Sequence, residues 1–381
     1  MRHHNSVFHQ VLKHVPWSVF ERFVDKHRAD YRVRRLTTKS QFLALLFGQL
    51  AGASSLREIE TGLISHSARL YHVGGCCVAR TTLADANARR PAALYGDLFA
   101  HMASSASRRT RRHLADAVRI LDATRVQVSS LSSGWVETVS GKRAIKLHVA
   151  YDPHIDTPLR VKITDQKVND ITPAKTMQIK PGMTYVFDLA YYDYGWWAEL
   201  NDLGCRFVTR LKTSTPVTAT TQLAIPEGSS ILSDRIGLLP QRQKYARKNP
   251  MSDPVREIAV RISTGKIIRL VTNDLDASAE EIAALYKQRW QIELFFKWIK
   301  QNLKIRHFLG VSENAVRIQV YVAMIAYLLL RAAQAVQKAI DQPLAFVRLV
   351  RLNLMHRRPI NNLSYPPPTQ IYDSRQMCLG L

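Results

Sequence analysis

Four polar side chains recur at helical spacing in one segment, YKQRWQIELFFKWIK, which spans residues 286–300. They are Tyr286, Arg289, Glu293 and Lys300. At about 100° per residue, these side chains fall within an arc of roughly 60° on one face of an α-helix. A carboxylate beside permanent cations suits a site that holds a metal ion and a phosphate group together. The segment therefore predicts a helix with a role in phosphate chemistry.

A start signal and a separate apolar stripe both predict this helix. Ser278-x-x-Glu281 matches a capping box. Apolar residues form a stripe beside the polar face: Leu285, Ile292, Phe296 and Ile299. Lys297 lies next to the polar patch and is its weaker member. The alternative is a solvated surface helix in which Arg289 and Glu293 form an ordinary ion pair. That alternative explains less well why aromatic residues crowd the same segment.

The composition predicts a globular protein with a polyanionic partner. The 381 residues suffice for two or three domains, and 46% apolar content argues against disorder. Lys plus Arg number 54 against 30 acids, a formal charge of +24, which favours nucleic acid. A membrane surface is the competing partner. However, no apolar signal segment follows the first ten residues, and the apolar run 320–330 is too short to span a bilayer.

The cysteines indicate a reducing compartment. None of the four forms a C-x-x-C pair, and the adjacent pair has poor spacing for zinc: Cys76, Cys77, Cys205 and Cys378. Reduced thiols in the cytoplasm are the simplest interpretation.

The first part of the chain, residues 1–112, predicts a helical DNA-binding domain that ends in a basic linker. Helix starts occur at Thr37 or Thr38 and at the capping box Ser55-x-x-Glu58. Short helices joined by tight turns fit a helix-turn-helix unit and a plain helical bundle equally well. The linker carries four arginines that could contact DNA phosphates or form a solvated face: Arg108, Arg109, Arg111 and Arg112.

Strand patterns replace helical ones after the linker. Residues 113–212 predict the first part of an α/β core, and residues 213–270 a β-rich insertion. Residues 271–340 predict the second part of the core, with the polar helix, and residues 341–381 a basic, proline-containing tail. The insertion carries a second basic cluster that could contact DNA: Arg242, Lys244, Arg247 and Lys248.

One acid does not hold two catalytic cations, so other carboxylates must come from separate elements. Asp122 follows Val118-Arg-Ile-Leu121, and Asp188 follows Tyr185-Val-Phe187. An acid at the end of a buried strand is costly unless it is paired or bound to a metal. Asp152 and Asp193 are rivals, and each acid alone could simply be a turn or N-cap aspartate.

With these acids in place, the chain resembles the DDE transposases of bacterial insertion sequences, the IS4 type in particular. The spacing Tyr286-x2-Arg289-x3-Glu293-x6-Lys300 matches that group's Y-R-E-K signature. Asp122-Ala-Thr124 looks like the first-Asp block, and residues 187–212 look like the second-Asp block. Leu189-Ala190 stands where many relatives have Arg-Gly. Residues 1–105 look like the N-terminal domain of a subset of the family.

The resemblance implies an RNase H-like core, a mixed sheet flanked by helices, with the first Asp on the first strand and the second on the fourth. It further implies that Asp122, Asp188 and Glu293 hold two Mg²⁺ ions, for which Mn²⁺ can substitute. Tyr286, Arg289, Lys297 and Lys300 would contact DNA phosphates.

The implied reaction is cut-and-paste transposition through a hairpin intermediate. The implied partners are double-stranded DNA, both terminal inverted repeats and target, and a second copy of the chain in the synaptic complex. No membrane is implied, and the location would be the bacterial cytoplasm at the nucleoid. Two alternatives remain: a catalytically inactive, transposase-derived DNA-binding protein, and a structure-directed nuclease on the same core.

Overall fold

The computed structural model describes residues 5–110, 117–132, 134–225, 227–242, 247–303, 305, 307–337 and 339–363, with side chains omitted for 108–110. The chain divides into two compact units. One unit comprises Met1–Leu94 and Ile325–Leu381, and the other comprises Tyr95–Met324.

The second unit contains one ten-stranded mixed sheet formed by the described strands. The strands are β1 (Val118–Gln127), β2 (Thr138–Val139), β3 (Lys142–Asp152), β4 (Thr157–Asp165), β5 (Thr184–Phe187), β6 (Arg206–Arg210), β7 (Thr218–Gln222), β8 (Ile231–Leu238), β9 (Val255–Arg261) and β10 (Ile267–Thr272). Their order is β2-β3-β1-β5-β6-β10-β9-β8-β7, and β4 pairs with β3.

The central strands β1, β5 and β6 run parallel, while β3 and β4 are antiparallel to their neighbours. This arrangement is the predicted RNase H-like core, with helices packed against a mixed sheet. Residues 118–121 of β1 and all residues of β5 are buried, because the sheet is covered on both faces there, as is usual for parallel strands. The strands β7–β10 extend the same sheet, because β10 pairs antiparallel with β6.

The helices are α1 (Val7–Leu12), α2 (Trp17–Lys26), α3 (Thr38–Ala51), α4 (Leu56–Ser65), α5 (Ser67–Leu70), α6 (Arg80–Arg89), α7 (Ala92–Thr110), α8 (Ile171–Lys175), α9 (Tyr194–Asp202), α10 (Ala279–Gln288), α11 (Trp290–Asn302), α12 (Glu313–Val336) and α13 (Pro343–Leu352). Short 3₁₀ turns cover Tyr71–Val73, Leu189–Tyr191 and Ile360–Asn362. The helix α12 is long and apolar enough to cross a membrane by composition, but 78% of its most apolar window is buried, as in a core helix.

The first unit is a helical assembly around α3, whose residues are buried on almost every side. The Gln41 amide donates a hydrogen bond of 2.7 Å to the Asn87 side chain, and Arg90 donates to Gln41 at 3.0 Å. The helix α13, which lies in the stretch expected to be a tail, packs against α3. Its buried face consists of Phe346, Val347 and Val350, at the spacing of an amphipathic helix.

The predicted polar helix consists of two segments, α10 and α11, which meet at Arg289. The amide of Arg289 donates to the carbonyl of Tyr286, and the amide of Ile292 donates to the carbonyl of Arg289. These bonds span three residues instead of four, so the chain tightens there. The predicted capping box at Ser278 and Glu281 is formed in full.

An aromatic cluster fixes the end of β5 from one face of the sheet. The rings of Phe187 and Trp196 lie 4.9 Å apart, and those of Trp197 and Phe207 lie 5.3 Å apart. All four side chains are fully buried. Asp193 caps the helix α9 that carries the two tryptophans, because its carboxylate accepts from the amide of Trp196 at 2.9 Å.

Truncation of this cluster tests its contribution to the fold. Phe187→Ala should lower the free energy of unfolding by about 3–5 kcal/mol, since it removes a fully buried ring and leaves a cavity. Urea unfolding followed by tryptophan fluorescence measures the change. Leu238→Ala, on a side chain that is 36% exposed, is the control and should change it far less. Equal effects of the two substitutions would contradict the assignment.

Candidate active site

The two aspartates lie side by side where two parallel strands stop pairing. The last paired residues of β1 and β5 are Leu121 and Phe187, so Asp122 and Asp188 are the next residues on each strand. Asp188 ends its strand, as expected. Asp122 does not, because β1 continues to Gln127 through its antiparallel pairing with β3. The segment VRILDATRVQV has a strand pattern as a whole, so only the expectation that Asp122 terminates the strand was wrong.

Burial makes the carboxyl group of Asp122 a weaker acid than an ordinary aspartic acid. Its Oδ1 accepts a hydrogen bond from the amide of Ala123 at 2.7 Å. Its pKa is raised to about 7, mainly by burial and also by the charges of Asp188 and Glu293, while the Ala123 amide and Arg289 oppose the shift. The ionisation of Asp122 is therefore affected by the charges of the other two predicted acids.

Asp188 is held by the turn that follows it. Its Oδ1 accepts from the amide of Ala190 at 2.9 Å, so it caps the 3₁₀ turn Leu189–Tyr191. A backbone amide makes this contact, and any residue other than proline can supply one. The replacement of Arg-Gly by Leu189-Ala190 therefore leaves the position of Asp188 intact.

Arg289 connects the helix to the strand. Its Nη1 lies 3.6 Å from Asp122 Oδ2, and its Nη2 lies 2.6 Å from Glu293 Oε1. Its guanidinium also lies 5.7 Å from the ring centre of Tyr286, which is buried. One cation thus lies against two of the three acids. Among the described residues, no three acids, histidines or cysteines form a ready metal-ligand group.

Lys300 makes a second link between α11 and β1. Its Nζ donates to Thr124 Oγ1 at 2.5 Å, two residues after Asp122 on the same face of the strand. Thr124 was part of the predicted first-Asp block but had no assigned role. Lys297 is exposed one turn before Lys300.

Packing fixes the height of α11 over the sheet. Ile292, Phe295, Phe296 and Ile299 are its buried residues. The ring of Phe295 lies 5.4 Å from that of Tyr151 on β3. Some of the aromatic residues noted in the sequence therefore pack α11 against the sheet.

The rival aspartates have other partners. Asp152 is buried and pairs with Arg119, whose Nη1 lies 2.7 Å from its Oδ2. Asp193 caps α9 and pairs with Lys175 at 2.7 Å. The sequence did not single out Tyr191, which is buried near Asp122. Its pKa is raised, mainly by burial and secondly by the charge of Asp122.

The predicted basic clusters are described only in part. Arg242, Arg247 and Lys248 are exposed, and Arg242 forms an isolated β-bridge with Lys248. Lys244, Arg111 and Arg112, together with the side chains of Arg108 and Arg109, lie outside the described residues.

Comparison with known families agrees with the geometry. Residues 113–329 match the model of the transposase DDE domain. Residues 3–76 match a domain of unknown function, DUF4372. The matched ranges cover the mixed sheet with its helices and most of the N-terminal helices.

Curated relatives are similar over most of the chain. The chain is 41% identical over 300 residues to a putative transposase, y4zB, of Sinorhizobium fredii, covering 78% of this chain and 83% of the relative. It is 32% identical over 269 residues to a probable transposase for insertion sequence element IS5377 of Geobacillus stearothermophilus, covering 69% and 70%.

Among solved structures, the piggyBac transposase synaptic complex with hairpin DNA aligns with 97% of this chain and 83% of its own, with a TM-score of 0.42 and 10% identity. That similarity is too low to support a conclusion. The family match and the curated relatives suffice, and the chain belongs to the DDE transposase family.

Proposed function

We propose that this transposase cleaves and joins DNA strands at the ends of an insertion sequence of the IS4 type, by cut-and-paste through a hairpin intermediate. The observation that carries the proposal is the convergence of Asp122, Asp188 and the Arg289–Glu293 pair at one end of the parallel strands. The Y-R-E-K spacing and the family match support the same reaction.

The donor set suits divalent cations. The charges of Asp188 and Glu293 raise the pKa of Asp122, and among the described residues Arg289 is the cation that contacts two of these three carboxylates. Asp122, Asp188 and Glu293 would hold two Mg²⁺ ions, or Mn²⁺ in their place. When bound, such ions supply a metal-activated water or DNA 3′-hydroxyl and stabilise the leaving oxygen.

The cationic side chains would position the substrate. Arg289 can bind a phosphate in a bidentate manner, whereas Lys300 acts as a point charge fixed by Thr124. Lys297 would make a weaker phosphate contact from its exposed position, and Tyr286 would support Arg289 through its ring. The protein's contribution is then positioning and charge neutralisation.

The proposed partners follow from the reaction and from the charge of +24. They are double-stranded DNA, as terminal inverted repeats and as target, and a second copy of the chain when two ends are synapsed. The arginines of the linker and the insertion would contact phosphates. The protein would act in the cytoplasm at the nucleoid.

Two variants test the assignment of the acids. Asp188→Ala and Glu293→Ala should each reduce Mg²⁺- or Mn²⁺-dependent cleavage of end-containing DNA by about a hundredfold or more, the scale of losing one preorganised electrostatic group. Binding of the same DNA should remain largely intact. Asp202→Ala, at an exposed position on α9, is the matched control.

The same assay separates the alternatives. Equal cleavage by wild type and Asp188→Ala would refute the site. Cleavage without preference for end sequences would favour a structure-directed nuclease. Binding without any metal-dependent cleavage by the wild type would favour an inactive DNA-binding relative.

The two lysines of α11 provide a matched pair. Lys300→Ala should weaken both DNA cleavage and contact with phosphates near the cut, because it removes a cation fixed beside Asp122 by Thr124. Lys297→Ala removes the same charge from an exposed, neighbouring position and should have a smaller effect. Cleavage rates and footprinting at the end measure both, and a larger effect at Lys297 would reverse the proposed roles.

The acidity of Asp122 predicts a pH dependence of stability. Its folded pKa, about 7, exceeds the ordinary value of 3.8, so the folded protein binds more protons between these values. Its contribution to stability is therefore present at low pH and is lost as pH rises through about 7. Asp122→Asn should abolish this trend and be more stable than the wild type above pH 7, by on the order of 4 kcal/mol.

Urea unfolding in metal-free buffer between about pH 5 and about pH 8 measures the difference. Asp202→Asn is the control for an exposed acid. A difference between wild type and Asp122→Asn that does not vary with pH would contradict the assignment.

A further inference from the structure

The connection between α2 and α3 in the first unit carries a dense group of arginines. Residues 27–36 read HRADYRVRRL, and we call this segment the arginine loop. Its four arginine side chains are all exposed: Arg28, Arg32, Arg34 and Arg35. A run of charge is usually a solvated face, so a further role has to be argued from how these side chains are held.

An exposed aromatic ring organises two of the arginines. The side chain of Tyr31 is 66% exposed. The guanidinium of Arg28 lies 5.8 Å from the centre of its ring, and that of Arg32 lies 5.1 Å from it. The face of an aromatic ring attracts a cation, so both guanidiniums are held beside the same ring. Two like charges kept close at the surface repel each other, and a bound polyanion would relieve that repulsion.

The backbone holds the same two arginines in an unfavourable conformation. The φ angle is +50° at Arg28 and +57° at Arg32, in the left-handed region where a Cβ atom crowds the following carbonyl. Turn hydrogen bonds maintain this conformation. The amide of Tyr31 donates to the carbonyl of Arg28 at 3.1 Å, and the amide of Ala29 donates to that of Val24 at 2.9 Å. Strained residues that are kept in an anchored loop are typical of functional segments.

Asp30 fixes the arginine loop to the helices of the unit. Its Oδ1 accepts hydrogen bonds from the amide and from the hydroxyl of Thr38, each at 2.7 Å. Arg90 lies 3.8 Å from the same oxygen and also donates to the carbonyl of Leu36. Asp30 is the one acid in the sequence of residues 27–36, and its carboxylate faces the start of α3. The loop is therefore rigid, and its exposed side is strongly positive.

The chemistry of the loop favours DNA over a membrane surface. Guanidinium groups bind phosphate oxygens through paired hydrogen bonds. Ala29 and Leu36 are 6% and 7% exposed, so these aliphatic side chains cannot enter a lipid layer. The segment is also not helical, so contact with the DNA backbone is expected rather than base reading by a helix in the major groove.

We propose that the arginine loop binds the phosphate backbone of duplex DNA without regard to base sequence. The proposal rests on the proposed function for the identity of the polyanion. It assigns a binding surface to a region that matches a domain of unknown function. In a helix-turn-helix arrangement, by contrast, a helix such as α6 would make the main contacts.

Titration of fluorescent duplex DNA with the full chain, in metal-free buffer at several salt concentrations, tests the proposal. One duplex carries an insertion-sequence end, and the other has the same composition in scrambled order. Arg32→Gln/Arg34→Gln/Arg35→Gln should raise the Kd for both duplexes by roughly tenfold or more, because charged contacts are lost. The slope of log K against log salt should become less steep by about 0.9 for each phosphate contact removed.

Tyr31→Ala separates the ring from the charges. It should raise the Kd by roughly two- to fivefold, because Arg28 and Arg32 lose the ring that orients them. The salt slope should stay the same, since no charge is removed. A change of slope as large as that of the triple variant would contradict the role given to the ring.

The matched control removes three exposed arginines from α4 and α6 of the same unit: Arg57→Gln/Arg80→Gln/Arg89→Gln. Its affinity and salt slope should change far less. Equal losses in the two triple variants, a loss confined to the end sequence, or no binding by the wild type would overturn the proposal. Tighter binding of the wild type to anionic phospholipid vesicles than to DNA would do the same.

The outcome is independent of catalysis, because binding is measured without metal. A wild-type protein that binds both duplexes through the arginine loop but does not cleave DNA with Mg²⁺ would refute the proposed reaction and support the loop assignment. Cleavage that survives in the loop variant at saturating protein, with only the Kd raised, would support both.

Discussion

The position at which β1 and β5 stop pairing determines the rest of the site. Parallel strands share one register, so the residues after the last pair, Leu121 and Phe187, must lie next to each other. Both happen to be aspartates. The aromatic cluster under Phe187 makes this register rigid, and the antiparallel pairing of β1 with β3 continues beyond it. The acids are therefore held by strands that are fixed on both sides.

The electrostatics of the site follow from this placement. Asp122 is mostly buried, and the charge of Asp188 beside it opposes its ionisation. Arg289 offsets part of that cost through its contacts with Asp122 and Glu293. Contacts from Arg289 to Asp122 and from Lys300 to Thr124 link α11 to β1. These two links keep Glu293 close to the aspartates of the sheet. The same groups that stabilise the metal-free protein are those proposed to bind metal and phosphate.

The sheet also separates two surfaces with different chemistry. One face carries Asp122 and the helices α10 and α11, and the other carries Arg119 and the aromatic cluster. Strand alternation makes this division unavoidable, since Arg119 and Asp122 are three residues apart on β1. The strands β7–β10 lengthen the sheet at β6 and leave this central part unchanged.

The sequence by itself determined the local features: the capping box at Ser278, the buried strands before Asp122 and Asp188, and the spacing from Tyr286 to Lys300. These depend on contacts within a few residues, and the family resemblance supplied the RNase H-like arrangement. Tertiary structure alone decided that the helix tightens at Arg289, that Asp152 pairs with Arg119 and that Asp193 caps α9. It also decided that Thr124 holds Lys300 across 176 positions. Those outcomes depend on which strands pair and which side chains meet across the sheet, and residue spacing along the chain does not encode such long-range contacts.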